Sequence, residues 1–162
     1  MKELMSYPHV GNVELLERQK VAFLAPGQIR SLSVLPTLQW AAQMAGREEM
    51  TLVSGWSSRL ELEVLQQLLT GKCGIVLVLG RALYKKLPAL WQPLLDSRRL
   101  LILSVSQQQR QSRQAAFRRN EQVCRMVDEV VFPCIPPQES SLRSLYEACC
   151  KHHSVTLLID SL

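Results

Sequence analysis

A three-layer α/β fold, with a mostly parallel central sheet flanked by helices, follows from three observations. Short apolar runs alternate with longer amphipathic stretches along the chain, the pattern of repeated strand–helix–strand units. One run, Gly74-Ile-Val-Leu-Val-Leu79, is apolar throughout, as a strand covered on both faces must be. The length of 162 residues, 47% of them hydrophobic and 20% charged, suffices for one sizeable core and excludes a disordered chain. Residues 1–162 are therefore expected to form a single domain, with 1–19 as a short N-terminal extension. No apolar run reaches the ~18 residues of a membrane helix, and the first residues lack the layout of a signal peptide. The expected setting is cytoplasmic.

The elements follow in order. Val21-Ala-Phe-Leu-Ala25 reads as a strand stopped by Pro26-Gly27. Residues 32–46 read as a helix whose apolar face is Leu35, Leu38, Ala42 and Ala45, ending at Gly46. Met50–Val53 is the next strand. A helix over 58–70 starts at Ser58, with Glu61 three residues later in the pattern of a capping box, and stops at Gly71. After the strand 74–79, Pro88 fits the first turn of a short helix to about Leu95. Leu100–Leu103 forms a strand, 114–126 a helix, Glu129–Phe132 a strand, 140–151 a helix and 154–159 a last strand.

Right-handed crossovers bring the carboxyl ends of parallel strands to one edge, where folds of this class bind ligands. The loops at that edge are 25–31, 54–58, 80–86, 104–119 and 133–141. In the first, Pro26-Gly27-Gln28-Ile29-Arg30-Ser31 has neither a dinucleotide fingerprint nor a P-loop, although Gly27 and Arg30 suit a phosphate. In the second, Ser54-Gly55-Trp56-Ser57-Ser58 leads small hydroxyl residues and a glycine into a helix start, the chemistry of an anion-accepting turn. Trp56 reads either as a platform for a base or as a packing residue. Gly80 and Arg81, with Lys85 and Lys86, add positive charge in the third loop.

Charge singles out the fourth. Lys plus Arg number 19 against 14 Asp plus Glu, for a net charge of +5 and a pI near 9.1. Residues 98–125 hold seven arginines and one acid, Glu121, so this stretch supplies the whole positive balance. A guanidinium fork suits phosphate recognition. Arg110 and Arg113 precede Phe117-Arg118-Arg119-Asn120, in which Arg119 suits a phosphate and Asn120 a loop or a base edge. Neither falls on the apolar face set by Val123, Met126 and Val127, so solvent exposure accounts for them equally well.

Metal and hydrolase signatures are missing. The five cysteines (73, 124, 134, 149 and 150) form no Cys-x-x-Cys pair, which favours free thiols, with Cys73, Cys124 and Cys134 in packing roles. His152 and His153 beside Cys149 and Cys150 lack a further ligand at suitable spacing, so no metal is expected. There is no nucleophile elbow, and the three Asp (96, 128 and 160) are scattered. Glu61 is a capping residue first, and a catalytic acid only if the protein is an enzyme.

The order V-A-F-L-A-P-G, T-L-V-S-G-W-S-S-R-L-E, G-I-V-L-V-L-G-R-A-L, L-L-I-L-S and F-R-R-N resembles the DNA-processing protein family (the DprA or Smf group). The match runs roughly from Val10 to Phe132, and the parent superfamily is Rossmann-like and includes cytokinin-activating phosphoribohydrolases. The resemblance implies a Rossmann-like fold, binding of single-stranded DNA, and dimerisation. It places Ser54 and Gly55 on the family's S-G, and Phe117, Arg119 and Asn120 on its F-x-x-R-N, whose arginine lies in the binding pocket. Loop 133–141 departs from the family in having no glycine, with Ser140-Ser141 left to cap the next helix. The P-G-G-x-G-T-x-x-E signature of the phosphoribohydrolases is absent.

The expectation is a non-enzymatic protein that binds single-stranded nucleic acid or a nucleotide phosphate at the carboxyl edge, without cofactor, metal or membrane, and assembled as a homo-oligomer. Its candidate residues are Gly27, Arg30, Ser54, Gly55, Trp56, Ser57, Ser58, Gly80, Arg81, Arg110, Arg113, Phe117, Arg119 and Asn120. Two alternatives stand beside it: a nucleotide hydrolase or phosphoribohydrolase-like enzyme using Glu61, and a protein-interaction module with a vestigial ligand edge.

Overall fold

The computed structural model describes residues 2–159, so Asp160 lies outside the described residues. The chain runs α1 (Lys2–Met5), β1 (His9–Gly11), a 3-10 turn (Val13–Glu17), β2 (Gln19–Phe23), α2 (Ser31–Ala45), β3 (Met50–Ser54) and α3 (Arg59–Leu68). It continues with β4 (Gly74–Leu79), a 3-10 turn (Ala89–Trp91), α4 (Gln92–Asp96), β5 (Leu100–Ser104), α5 (Arg113–Arg125), β6 (Glu129–Phe132), α6 (Leu142–His152) and β7 (Ser154–Leu157). The strands form one sheet in the order β1-β5-β4-β3-β2-β6-β7. Every neighbouring pair is parallel except β1 with β5. This is the three-layer, Rossmann-like α/β arrangement the sequence predicts.

Strand periodicity divides the core in two. Val21, Phe23, Leu52, Ile75, Leu77 and Ile102 point to one face, where they meet residues of α2, α3 and α4. Ala22, Val53, Val76, Val78, Leu101 and Val130 point to the other, under α5, α6 and the 13–17 turn. Every residue of β4 is buried, as its unbroken apolar run requires.

Residues 1–19, expected as an extension, contain part of the sheet. Strand β1 pairs with β5 through His9↔Leu103, Val10↔Ile102 and Gly11↔Leu101. Leu15 and Leu16 are buried in the second core, and the Thr51 hydroxyl donates to the Leu15 carbonyl at 2.8 Å. A three-residue edge strand with every side chain exposed carries no alternation, so nothing in its hydropathy betrays it.

The buried face of α2 also differs from expectation. Leu35 is 65% exposed and Ala42 is exposed, whereas Ser33, Thr37, Ala41, Met44 and Ala45 are buried. The buried face is made of small residues together with Met44, and the Ser33 hydroxyl is satisfied by donating to the Arg30 carbonyl at 2.6 Å. Packing against α3 accompanies this rotation of α2, against its hydropathy. Among the described residues no helix is long and apolar enough to cross a membrane.

Candidate functional site

The site begins at the end of β3. Gly55 and Trp56 leave the strand buried, and Trp56 takes a left-handed backbone with φ 47°, a costly conformation for a bulky residue. The turn is held by one bond of its own and one to the neighbouring strand: the Trp56 amide donates to Ser54 Oγ at 3.2 Å, and the indole Nε1 donates to the Val76 carbonyl of β4 at 3.0 Å. Of the two roles open to Trp56, the structure gives it the packing one. At 3% exposure its ring has no free face to offer as a stacking platform.

Helix α3 starts with the expected capping box. Ser58 Oγ accepts from the Glu61 amide at 3.3 Å, and Glu61 Oε1 accepts from the amides of Ser58 at 3.2 Å and Ser57 at 3.0 Å. The other oxygen, Oε2, accepts from the Ala25 amide at 3.0 Å, which ties the loop after β2 to the loop after β3. Glu61 is 2% exposed and spends both oxygens on the backbone. Its visible role is to fix the two turns in place.

Helix α5 reaches the same point from the opposite face of the sheet. Arg119 is 4% exposed, so of the two explanations for its place in the sequence, solvent exposure is removed. Its Nε donates to Asn120 Oδ1 at 3.0 Å, Nη1 to Gln111 Oε1 at 3.2 Å and Nη2 to Ser57 Oγ at 3.2 Å. All three acceptors are neutral, and among the described residues Arg119 has no ion pair. Burial pulls its pKa below the ordinary arginine value, and the nearby negative charge of Glu61 offsets part of that effect. The guanidinium still carries its proton at neutral pH, and two of its five N–H groups remain to be used. It lies flat against Gly55: a Cβ there would fall on its Cζ, Nη1 and Nε atoms. Glycine is needed at position 55 for close approach.

Gly55, Trp56, Ser57, Arg81, Arg110 and Arg119 line one open depression of about 400 Å³ at the carboxyl ends of β3 and β4. Leu62, Leu77, Leu79, Leu90 and Trp91 form its apolar wall, and Tyr84 and Gln111 complete the rim. Among the described residues no carboxylate lines it. The Arg81 guanidinium stacks over the Tyr84 ring, 4.5 Å from its centroid, an arrangement that holds the cation in place while leaving its charge unneutralised. Arg110 is exposed.

Other expected residues serve around the depression or lie away from it. Ser54 is buried beneath the turn and Ser58 caps α3. The Gly80 amide donates to Gln111 Oε1 at 3.1 Å, and its missing side chain leaves room for that oxygen and for the Ala115 carbonyl. Asn120 holds Arg119. Phe117 packs into the core on the far side of the sheet. Gly27 and Arg30 are exposed on the loop after β2, and Arg113 is exposed at the start of α5; none of the three lines the depression. Gln111 joins Arg119 to the end of β4 and was not anticipated, because it is one of five glutamines between 107 and 114 and nothing singles it out. Tyr84 lies between Arg81 and Lys85, an aromatic–basic interleaving that would have pointed to it.

The arginine-rich stretch is also less uniform than its composition. Arg98 pairs with Glu14 at 3.9 Å, and Arg99 donates to the carbonyls of Leu68, Leu69 and Cys73 at 2.6 to 2.8 Å, closing the end of α3. Both precede β5, at the amino edge of the sheet. Only Arg110 and Arg119 of the seven line the depression. The cysteines are all free; Cys73, Cys124, Cys134 and Cys149 are buried and Cys150 is exposed. Burial pushes the thiols of Cys73 and Cys134 up, as suits packing residues.

No protein-family model and no curated relative matches the chain. Solved structures do. DNA processing protein A from Helicobacter pylori, described for its unique mode of binding single-stranded DNA, matches with a TM-score of 0.70 at 20% identity over 91% of this chain and 68% of its own. DNA processing protein A (DprA) from Streptococcus pneumoniae matches with a TM-score of 0.70 at 16% identity over 95% of this chain and 63% of its own. The chain thus has the fold of DNA processing protein A and spans about two thirds of the length of those two proteins.

Proposed function

We propose that the protein binds single-stranded nucleic acid, with backbone phosphates held at the carboxyl edge of the sheet by Arg119, Arg110 and Arg81. The observation that carries this reading is Arg119: a buried guanidinium with only neutral acceptors and two N–H groups left over. Desolvating a cation whose one nearby negative charge, Glu61, is bonded to backbone amides and not to the guanidinium is costly, and such a group is retained where an anion completes it. The lining around it favours the same ligand. Two further arginines supply charge without a carboxylate among the described lining residues to neutralise it, and the wall of Leu62 and Leu90 supplies apolar surface that suits the face of a base. The H. pylori protein of the same fold binds single-stranded DNA.

The reading is tested by fluorescence anisotropy with a labelled oligothymidylate and the Arg119→Met variant. Methionine is unbranched and removes the charge while filling much of the same space. Binding should weaken by a factor of at least ten with the circular dichroism spectrum unchanged. Equal affinity in the folded variant would refute the assignment of Arg119 to the ligand. Tighter binding of a nucleoside monophosphate than of the oligonucleotide would show a mononucleotide site instead.

A further inference from the structure

The Gln111 carboxamide is held in one orientation. Its Oε1 accepts from the Gly80 amide at 3.1 Å and from Arg119 Nη1 at 3.2 Å, which uses both lone pairs of the oxygen. Neither partner can accept in return, so the network itself settles which end of the amide is oxygen. The Nε2 group and its two N–H are left at the outer end of an exposed side chain that lines the depression. Its surroundings have the same bias. Arg81, Arg110 and Arg119 can only donate. Among the described lining residues the side-chain acceptors besides that oxygen are two hydroxyls, Tyr84 Oη and Ser57 Oγ, and the latter already accepts from Arg119 Nη2 at 3.2 Å.

We infer that Gln111 gives the depression a preference for guanine over adenine, through donors aimed at the O6 and N7 edge of the base. This rests on the reading that the protein binds single-stranded nucleic acid there. A glutamine with both ends free suits adenine: its nitrogen donates to N7 and its oxygen accepts from the N6 amino group. In this protein the oxygen is spent, so the half of the pair that reads the amino group is lost. Guanine presents two acceptors side by side, N7 and O6, and two neighbouring donors match them. The Gln111 N–H pair and a spare Arg119 N–H are such donors, held together by the bond between Nη1 and Oε1. Adenine in the same position sets its amino group against them, so a donor gives up water and gains no acceptor. Phosphates compete weakly for the neutral carboxamide, because the guanidinium groups of the same lining bind them more strongly.

The experiment uses labelled abasic oligonucleotides of equal length, each carrying a single guanine or a single adenine, so that the phosphates are the same and only the base differs. Fluorescence anisotropy on the full chain should show the guanine strand binding more tightly by about tenfold. Gln111→Met removes the N–H pair and should bring the two affinities together. Gln111→Glu keeps an oxygen for Gly80 and Arg119 and puts an acceptor where the N–H pair was. It should turn the preference toward adenine, while both strands bind more weakly because a carboxylate now faces their phosphates. The ratio is read within each variant, so a merely structural role of Gln111, which lowers both affinities together, does not move it. Equal affinity for the two strands in the wild type, or a ratio that survives in Gln111→Met, overturns the inference and leaves the binding of single strands standing. Failure of both strands to bind the wild type removes the proposed function itself, and this inference with it.

Discussion

Arg119 and Gly55 form one unit, in which the glycine exists so that the guanidinium can lie on the backbone of the β3 turn. Gly55→Ala should therefore displace Arg119 rather than merely stiffen the turn. The expected result is a loss of about 1–3 kcal/mol of stability, the usual range for overpacking, together with a severalfold loss of oligonucleotide affinity. Denaturant melts and anisotropy on the same preparation check both. Arg119→Met should separate the two quantities. Removing the cation lifts its desolvation cost but also takes away three side-chain hydrogen bonds and the charge that faces Glu61, so the melting temperature should change little while binding falls. A large drop in melting temperature would mean that Arg119 serves the fold. The residue types at the site were legible in the sequence, since glycine after a strand and arginine outside the apolar spacing both stand out. That the two touch was not legible, because one ends a strand and the other lies on a helix 64 positions further along.

At the level of elements, the capping box of α3 doubles as the brace of the site. Ser58→Ala removes one bond to the Glu61 amide and should cost about 1 kcal/mol, as such caps do. Glu61→Gln should cost more, about 1.5–3 kcal/mol, because a charged acceptor serving three backbone amides becomes a neutral one. Chemical denaturation gives both values, and a larger effect for Ser58→Ala than for Glu61→Gln would contradict this account. The cap was readable from Ser58 and Glu61 alone because its geometry is local. So were the strands and helices from β2 onward, whose apolar runs and stop signals carry their own periodicity. The rotation of α2 was not readable, since hydropathy favours burying Leu35 while the packed helix buries Ser33, Thr37 and Ala41. Strand β1 was hidden for a related reason: what defines it is its pairing with β5, a tertiary fact with no trace in three exposed residues.

Over the whole molecule, the positive charge that composition assigns to one stretch is divided by the fold. Arg98 and Arg99 serve the amino edge, Arg118 and Arg125 lie beside Tyr7 on the outer side of α5, and Arg110 and Arg119 meet Arg81 at the depression. Chain position alone could not make that division, because β5 carries its two ends to opposite edges of the sheet. The fold is that of DNA processing protein A, and the central claim is that three arginines at its carboxyl edge contact phosphates. Each phosphate neutralised on a single strand contributes about −0.7 to the slope of log affinity against log salt. The most direct measurement is that slope for an oligothymidylate, in the wild type and in Arg110→Ala. Three phosphate contacts give a slope of about −2, which becomes shallower by about 0.7 in the variant. A slope near zero, or one that Arg110→Ala leaves unchanged, would contradict it.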